Sequence, residues 1–145
     1  MKQISVFLEN TTGRICEVTR ALAKAGVNLR AINIADTAEF GILRLIVDKT
    51  GEAENALNAA GFTIRLTTVA AVEIEDKPGS LDALMELIQE SGINIEYLYA
   101  SLGSAASVGG GGCGCGKAVV IFKLEDHEKG FAMLERKGLT LAEGL

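Results

Sequence analysis

The chain has a single histidine, a single proline, no tryptophan and only three cysteines among 145 residues. The single His127 argues against a structural zinc site rich in both cysteine and histidine. Three cysteines cannot all pair with one another, which suits a reducing compartment. Aromatic residues are 5% of the chain, and the aromatic pair on which unstacked RNA bases would sit is missing. No apolar run approaches the roughly 20 residues that span a bilayer. The start, Met1-Lys2-Gln3-Ile4, enters a strand without a signal-peptide pattern. Basic clusters are absent and the net charge is −5, which argues against nucleic acid as a partner. These absences lead to the expectation of a cytoplasmic protein with neither nucleic-acid nor membrane partners.

What is present is a repeat. Leu8-Glu9-Asn10-Thr11-Thr12-Gly13 is echoed by Ile74-Glu75-Asp76-Lys77-Pro78-Gly79, and Ala25-Gly26-Val27-Asn28 by Ser91-Gly92-Ile93-Asn94. The offset is constant, since 79 minus 13 and 94 minus 28 both give 66. The chain reads as two copies of one small unit, 1–67 and 68–145.

In the first copy Ile4, Val6 and Leu8 alternate as a half-buried strand. Ile15, Val18, Leu22 and Ala25 form a helical stripe that Gly26 ends. The second strand, 28–37, changes the parity of its apolar positions between Leu29 and Ile32, the mark of a bulge. A turn at Glu39-Phe40-Gly41 leads to a third strand, 42–47. A short helix with Ala53, Ala56, Leu57 and Ala60 follows, then a strand with Phe62, Ile64 and Leu66. The order βαββαβ predicts an α+β chain of two ferredoxin-like units, antiparallel sheets with helices on one face. In the second copy Leu81, Leu84, Met85 and Ile88 stripe the first helix. The second helix, with Phe131, Met133 and Leu134, should stop at Gly138, and Leu139 and Leu141 should supply the last strand. Gly138 matches Gly61 at an offset of 77, so 11 extra residues fall in the run 104–116.

The sheet face away from the helices should carry Phe7, Ile42 and Ile46 in one copy, and Val119 and Ile121 in the other. A cluster of apolar residues across neighbouring strands implies burial against another surface. The expectation is a homodimer packed through these sheet backs.

The duplicated strand-to-helix turn is the first candidate site. N–H groups in the first turn of a helix have no internal partner and carry the positive end of the helix dipole. Such a turn accepts a carboxylate without a cationic side chain, and Gly13 and Gly79 leave room for it. Asn10 and Asp76, three residues earlier, either accept a bond from an ammonium group or cap the turn. Asn, Thr, Asp and Gly are also ordinary turn residues; the repetition of Asn28 and Asn94 at both second-strand starts favours a ligand.

Glu9-Asn10-Thr11-Thr12-Gly13-Arg14 with Ala25-Gly26-Val27-Asn28 resembles the start of an ACT domain, a small regulatory amino-acid-binding module. Glu75-Asp76-Lys77-Pro78-Gly79-Ser80 with Ser91-Gly92-Ile93-Asn94 resembles the family's D-x-P-G and G-I-N pattern still more. The resemblance covers the whole chain as two copies, apart from the Gly-rich insertion. It implies an allosteric regulatory protein binding a small amino acid where one unit's first loop meets a neighbour's second strand. The implied ligand residues are Asn10, Gly13, Arg14 and Asn28, and Asp76, Gly79, Ser80 and Asn94. Thr12 departs from the pattern where Pro78 keeps it. An alternative within the same resemblance is a regulatory small subunit docking on a biosynthetic enzyme such as acetolactate synthase, with a branched-chain amino acid as effector.

The insertion offers a different chemistry. Cys113 and Cys115 either bind a soft metal, a partner copy supplying two more thiolates, or form a redox pair, or are incidental to a glycine-rich hairpin tip. Gly111 to Lys117 mimics a phosphate loop, but Ala118 replaces the magnesium-binding Ser or Thr and a strand follows, not a helix. No nucleophile accompanies His127, expected in a loop, and Glu9, Glu73 and Glu75 form no acid pair. The chain is read as a non-enzyme with no cofactor.

Overall fold

The structure, a computed structural model, describes residues 1–36, 40–101, 117–137 and 139. Glu39, the insertion with Cys113 and Cys115, Gly138 and Leu141 lie outside the described residues. The chain divides into two compact units at the end of the strand Thr63–Thr68, Lys2–Thr67 forming one, and Met1 with the residues from Thr68 on the other.

The first unit runs β1 (Lys2–Glu9), α1 (Arg14–Lys24), β2 (Leu29–Asp36), β3 (Phe40–Val47), α2 (Thr50–Ala59) and β4 (Thr63–Thr68). Its sheet has the order β2-β3-β1-β4, with β3 antiparallel to both β1 and β2. Strand alternation sends Ile4, Val6 and Leu8 into the core with Leu43, Leu45 and Val47. Helix α1 lays Val18 and Leu22, one turn apart, on that layer, and α2 adds Ala53 and Leu57. Burying each Val or Leu contributes about 1.5–3 kcal/mol. The expected bulge is present: the β2–β3 register shifts between Leu29 and Ala31.

The second unit repeats this with β5 (Ala70–Glu75), α3 (Ser80–Glu90), β6 (Ile95–Ala100), β7 (Lys117–Leu124) and α4 (His127–Arg136). Among the described residues its sheet has the order β5-β7-β6, again antiparallel. The register shift recurs between Ile95 and Tyr97, 66 residues after the first (95 minus 29, 97 minus 31). Leu84, Ile88, Phe122, Leu124 and Leu134 form its core.

Three sequence expectations are corrected. Ile15 and Leu81, expected on the buried stripes, are 44% and 41% exposed; each lies in the first helical turn, at the rim of its core. His127 is not in a loop but is the first residue of α4, because the Asp126 carboxylate caps the helix by accepting from the Lys129 amide at 3.1 Å. On the outer sheet faces, Ile46, Val119 and Ile121 are already buried within the single chain. Phe7 remains 44% exposed beside its cross-strand neighbour Ile42, and Phe40 is 58% exposed. Among the described residues of the strands, Ile34, Leu66 and Leu98 are also exposed.

Candidate functional site

The two strand-to-helix turns are alike bond for bond. Gly13 has φ 93° and ψ −16°, Gly79 φ 90° and ψ −15°. The Thr11 amide donates to the Glu9 carbonyl and the Lys77 amide to that of Glu75; Arg14 and Ser80 donate to Thr11 and Lys77 in turn. Thr12 in the place of Pro78 thus leaves the backbone turn unchanged. A Cβ on either glycine would meet nothing within 4 Å, so the positive φ, not crowding, demands glycine there. Neither helix has a side-chain cap. The amides of Ile15 and Cys16, and of Leu81 and Asp82, belong to the first turns, whose donors have no intrahelical acceptor.

The side chains around the two turns differ. Arg14 Nη1 donates to Glu17 Oε2 at 2.6 Å, and its guanidinium lies 5.0 Å from the centre of the Phe62 ring. At the second turn Ser80 stands in place of Arg14, and Lys77 pairs with Glu75. The hydrogen bond from Lys77, with its charge, holds the Glu75 carboxyl below the usual carboxylate range. Asn10 and Asp76 are exposed. Cys16 is a free, exposed thiol that accepts from Arg20 Nη2 at 3.5 Å.

Asn28 and Asn94 lie elsewhere. Each follows the far end of its 11-residue helix, about 16 Å along the axis from the glycine turn. The Asp48 amide donates to the Asn28 carbonyl at 3.2 Å, and the Glu125 amide to that of Asn94 at 3.0 Å. Asp48 Oδ1 also accepts from the Asn28 amide. Beside Asn94 an open cleft of about 590 Å³ is lined by Ser91, Glu125, Asp126 and His127, whose ring tilts against Phe131 at 4.8 Å. The backbone amide of Lys129 first, then its side chain, depresses the Asp126 pKa.

Each unit therefore brings Asn10, Gly13 and Arg14, or Asp76, Gly79 and Ser80, to one end and leaves Asn28 or Asn94 at the other. The four residues expected in each copy form two half-sites within their own unit. Sequence reasoning missed Glu17, Phe62 and Asp48. Glu17 was legible as an i,i+3 partner of Arg14; Phe62 was not, since its approach to Arg14 spans the whole unit. Among the described residues no group of three or more His, Cys, Asp or Glu could hold a metal ion, and no helix is long and apolar enough to cross a membrane.

The chain is similar to known proteins. A family model described as an ACT domain pair matches residues 1–140. No curated protein matches the chain. Among solved structures, protein BT0572 from Bacteroides thetaiotaomicron is 34% identical, with 97% of this chain and 90% of that chain covered and a TM-score of 0.84. The ligand-free regulatory subunit of aspartate kinase from Thermus thermophilus is 20% identical over 94% of this chain and 90% of that one, with a TM-score of 0.66. Its counterpart from Thermus flavus is 19% identical over 93% and 90%, with a TM-score of 0.59. The last two share the fold. With two βαββαβ-type units at a constant offset and a family match over nearly its full length, the chain belongs to the ACT domain pair family.

Proposed function

We propose that this ACT domain pair is a cytoplasmic regulatory protein that binds a small amino acid. The observation that carries the reading is the duplicated glycine turn: two helix starts without a side-chain cap, with backbone dihedrals agreeing within a few degrees, a geometry that accepts a carboxylate. The effector's carboxylate meets the first-turn amides after Gly13 or Gly79, beside Asn10 and Arg14 or Asp76 and Ser80. Its ammonium meets Asn28 or Asn94 of a different unit, because those residues lie at the wrong end of their own. A ligand that bridges units favours one relative arrangement of them, and its binding energy becomes a regulatory signal. Two fold relatives are regulatory subunits of aspartate kinase, which agrees with a role alongside a partner enzyme. A homodimer supplies the neighbouring unit, with the exposed Phe7 and Phe40 and the half-buried Ile42 as an apolar surface for it.

Thermal unfolding against each of the twenty amino acids at millimolar concentration tests this. A ligand at about 100 times its dissociation constant adds roughly 2.7 kcal/mol. One amino acid should raise the melting temperature by several degrees, and Asn28→Ala or Asn94→Ala should abolish the shift. No shift across the panel overturns the proposal.

A further inference from the structure

The two turns share a backbone but not a neighbourhood. In the second unit an open cleft of about 520 Å³ runs beside the Gly79 turn, floored by Ile74, Ala83, Leu84, Leu87 and Leu139. The first unit holds polar or bulky groups at matching positions. An offset of 66 sets Glu17 against Ala83 and Arg14 against Ser80; an offset of 77 sets Phe62 against Leu139 (83 minus 17, 80 minus 14, 139 minus 62). There Arg14 reaches across to the Phe62 ring and is held by Glu17. At the positions that match Ser80 and Ala83 the first unit thus carries an ion pair, its guanidinium set against an aromatic ring.

We propose that the copies are unequal receptors: the second unit's cleft takes the aliphatic side chain of a zwitterionic amino acid, while Arg14 stoppers the first. This rests on the amino-acid reading above and names the ligand's class. The cleft's charges select the occupant. Its floor is aliphatic, which rejects a charged or strongly polar side chain because that group would lose its water without a partner. Around it stand one ammonium, Lys77, and two carboxylates, Glu75 and Glu73; Glu75 pairs with Lys77, and Glu73 with Lys117. With each of these carboxylates already matched by a lysine, a zwitterion brings no unmatched net charge over the apolar floor. The chain then binds one effector, and the first turn keeps a structural role.

Isothermal titration with L-leucine and L-aspartate tests this on the full chain. Wild type should bind one leucine per chain. Ser80→Arg with Ala83→Glu, which transplants the stopper, should weaken leucine at least tenfold with an unchanged circular dichroism spectrum. Arg14→Ser with Glu17→Ala should add a second leucine per chain. Independently of variants, leucine added to wild type should shift the Ala83 and Leu87 methyl resonances. Two leucines per wild-type chain, undiminished binding to the stoppered variant, no second site in the opened one, or still methyl resonances overturn the proposal. Preference for aspartate overturns it while leaving the amino-acid reading intact; binding of no amino acid overturns both.

Discussion

Asn28 and Asp48 exchange two hydrogen bonds: the Asn28 amide donates to Asp48 Oδ1 at 2.9 Å, and the Asp48 amide donates to the Asn28 carbonyl at 3.2 Å. The pair ties the start of β2 to the end of β3, so the Asn28 backbone is held while the residue remains exposed. Removing the carboxylate loosens that anchor. Asp48→Ala is expected to cost under about 1 kcal/mol, as for one solvent-exposed hydrogen bond, and to speed hydrogen exchange of the Asn28 amide while the core amides of β1 stay protected. Unchanged exchange at Asn28 would count against the anchoring role.

Gly13 and Gly79 occupy the left-handed region in open space. Gly13→Ala and Gly79→Ala should each cost about 1–2 kcal/mol through backbone strain alone, read as a lower urea midpoint with an unchanged slope. Because the turns are the same, the two losses should agree closely.

Helix α4 passes so near β7 that a Cβ on Gly130 would lie 2.2 Å from Leu124 Cδ1. The first unit has Ala53 and Val47 at these places (130 minus 53 and 124 minus 47 both give 77), all four being buried. Each unit has kept the combined size of its pair, a larger strand residue going with a smaller helix residue. Gly130→Ala should therefore destabilise by about 1–3 kcal/mol, and Leu124→Val added to it should recover part of the loss. A double-mutant cycle measures the coupling; additive effects would refute it.

Asp126 caps α4, and the Lys129 backbone and side chain lower its pKa below the ordinary 3.8. A depressed carboxylate pKa stabilises the fold above 3.8, and that contribution is lost as pH falls through the lowered value. Asp126→Ala should lower the melting temperature at neutral pH, the gap narrowing below about pH 4. Asp126→Asn should keep most of the cap without that pH dependence. Melting curves from pH 7 to pH 3 check both.

The local features were legible in the sequence because they depend on neighbours in the chain. Gly13 and Gly79 mark turns that only glycine takes up readily. The parity change after Leu29 announced a bulge that register shifts locate in both copies. The constant offset of 66 exposed the duplication, and alternation in Ile4, Val6 and Leu8 identified a core face. Tertiary structure decided what depends on distance through space. It left Ile15 and Leu81 at the rim, although their helical spacing matched the buried stripe. It put Asn28 and Asn94 a helix length from their glycine turns, because a strand following a helix begins where that helix ends. It laid Arg14 on Phe62, 48 residues away in the chain (62 minus 14), and left the matching cleft open beside Ser80. Periodicity records which face a residue occupies; what stands opposite that face is a property of the packed chain.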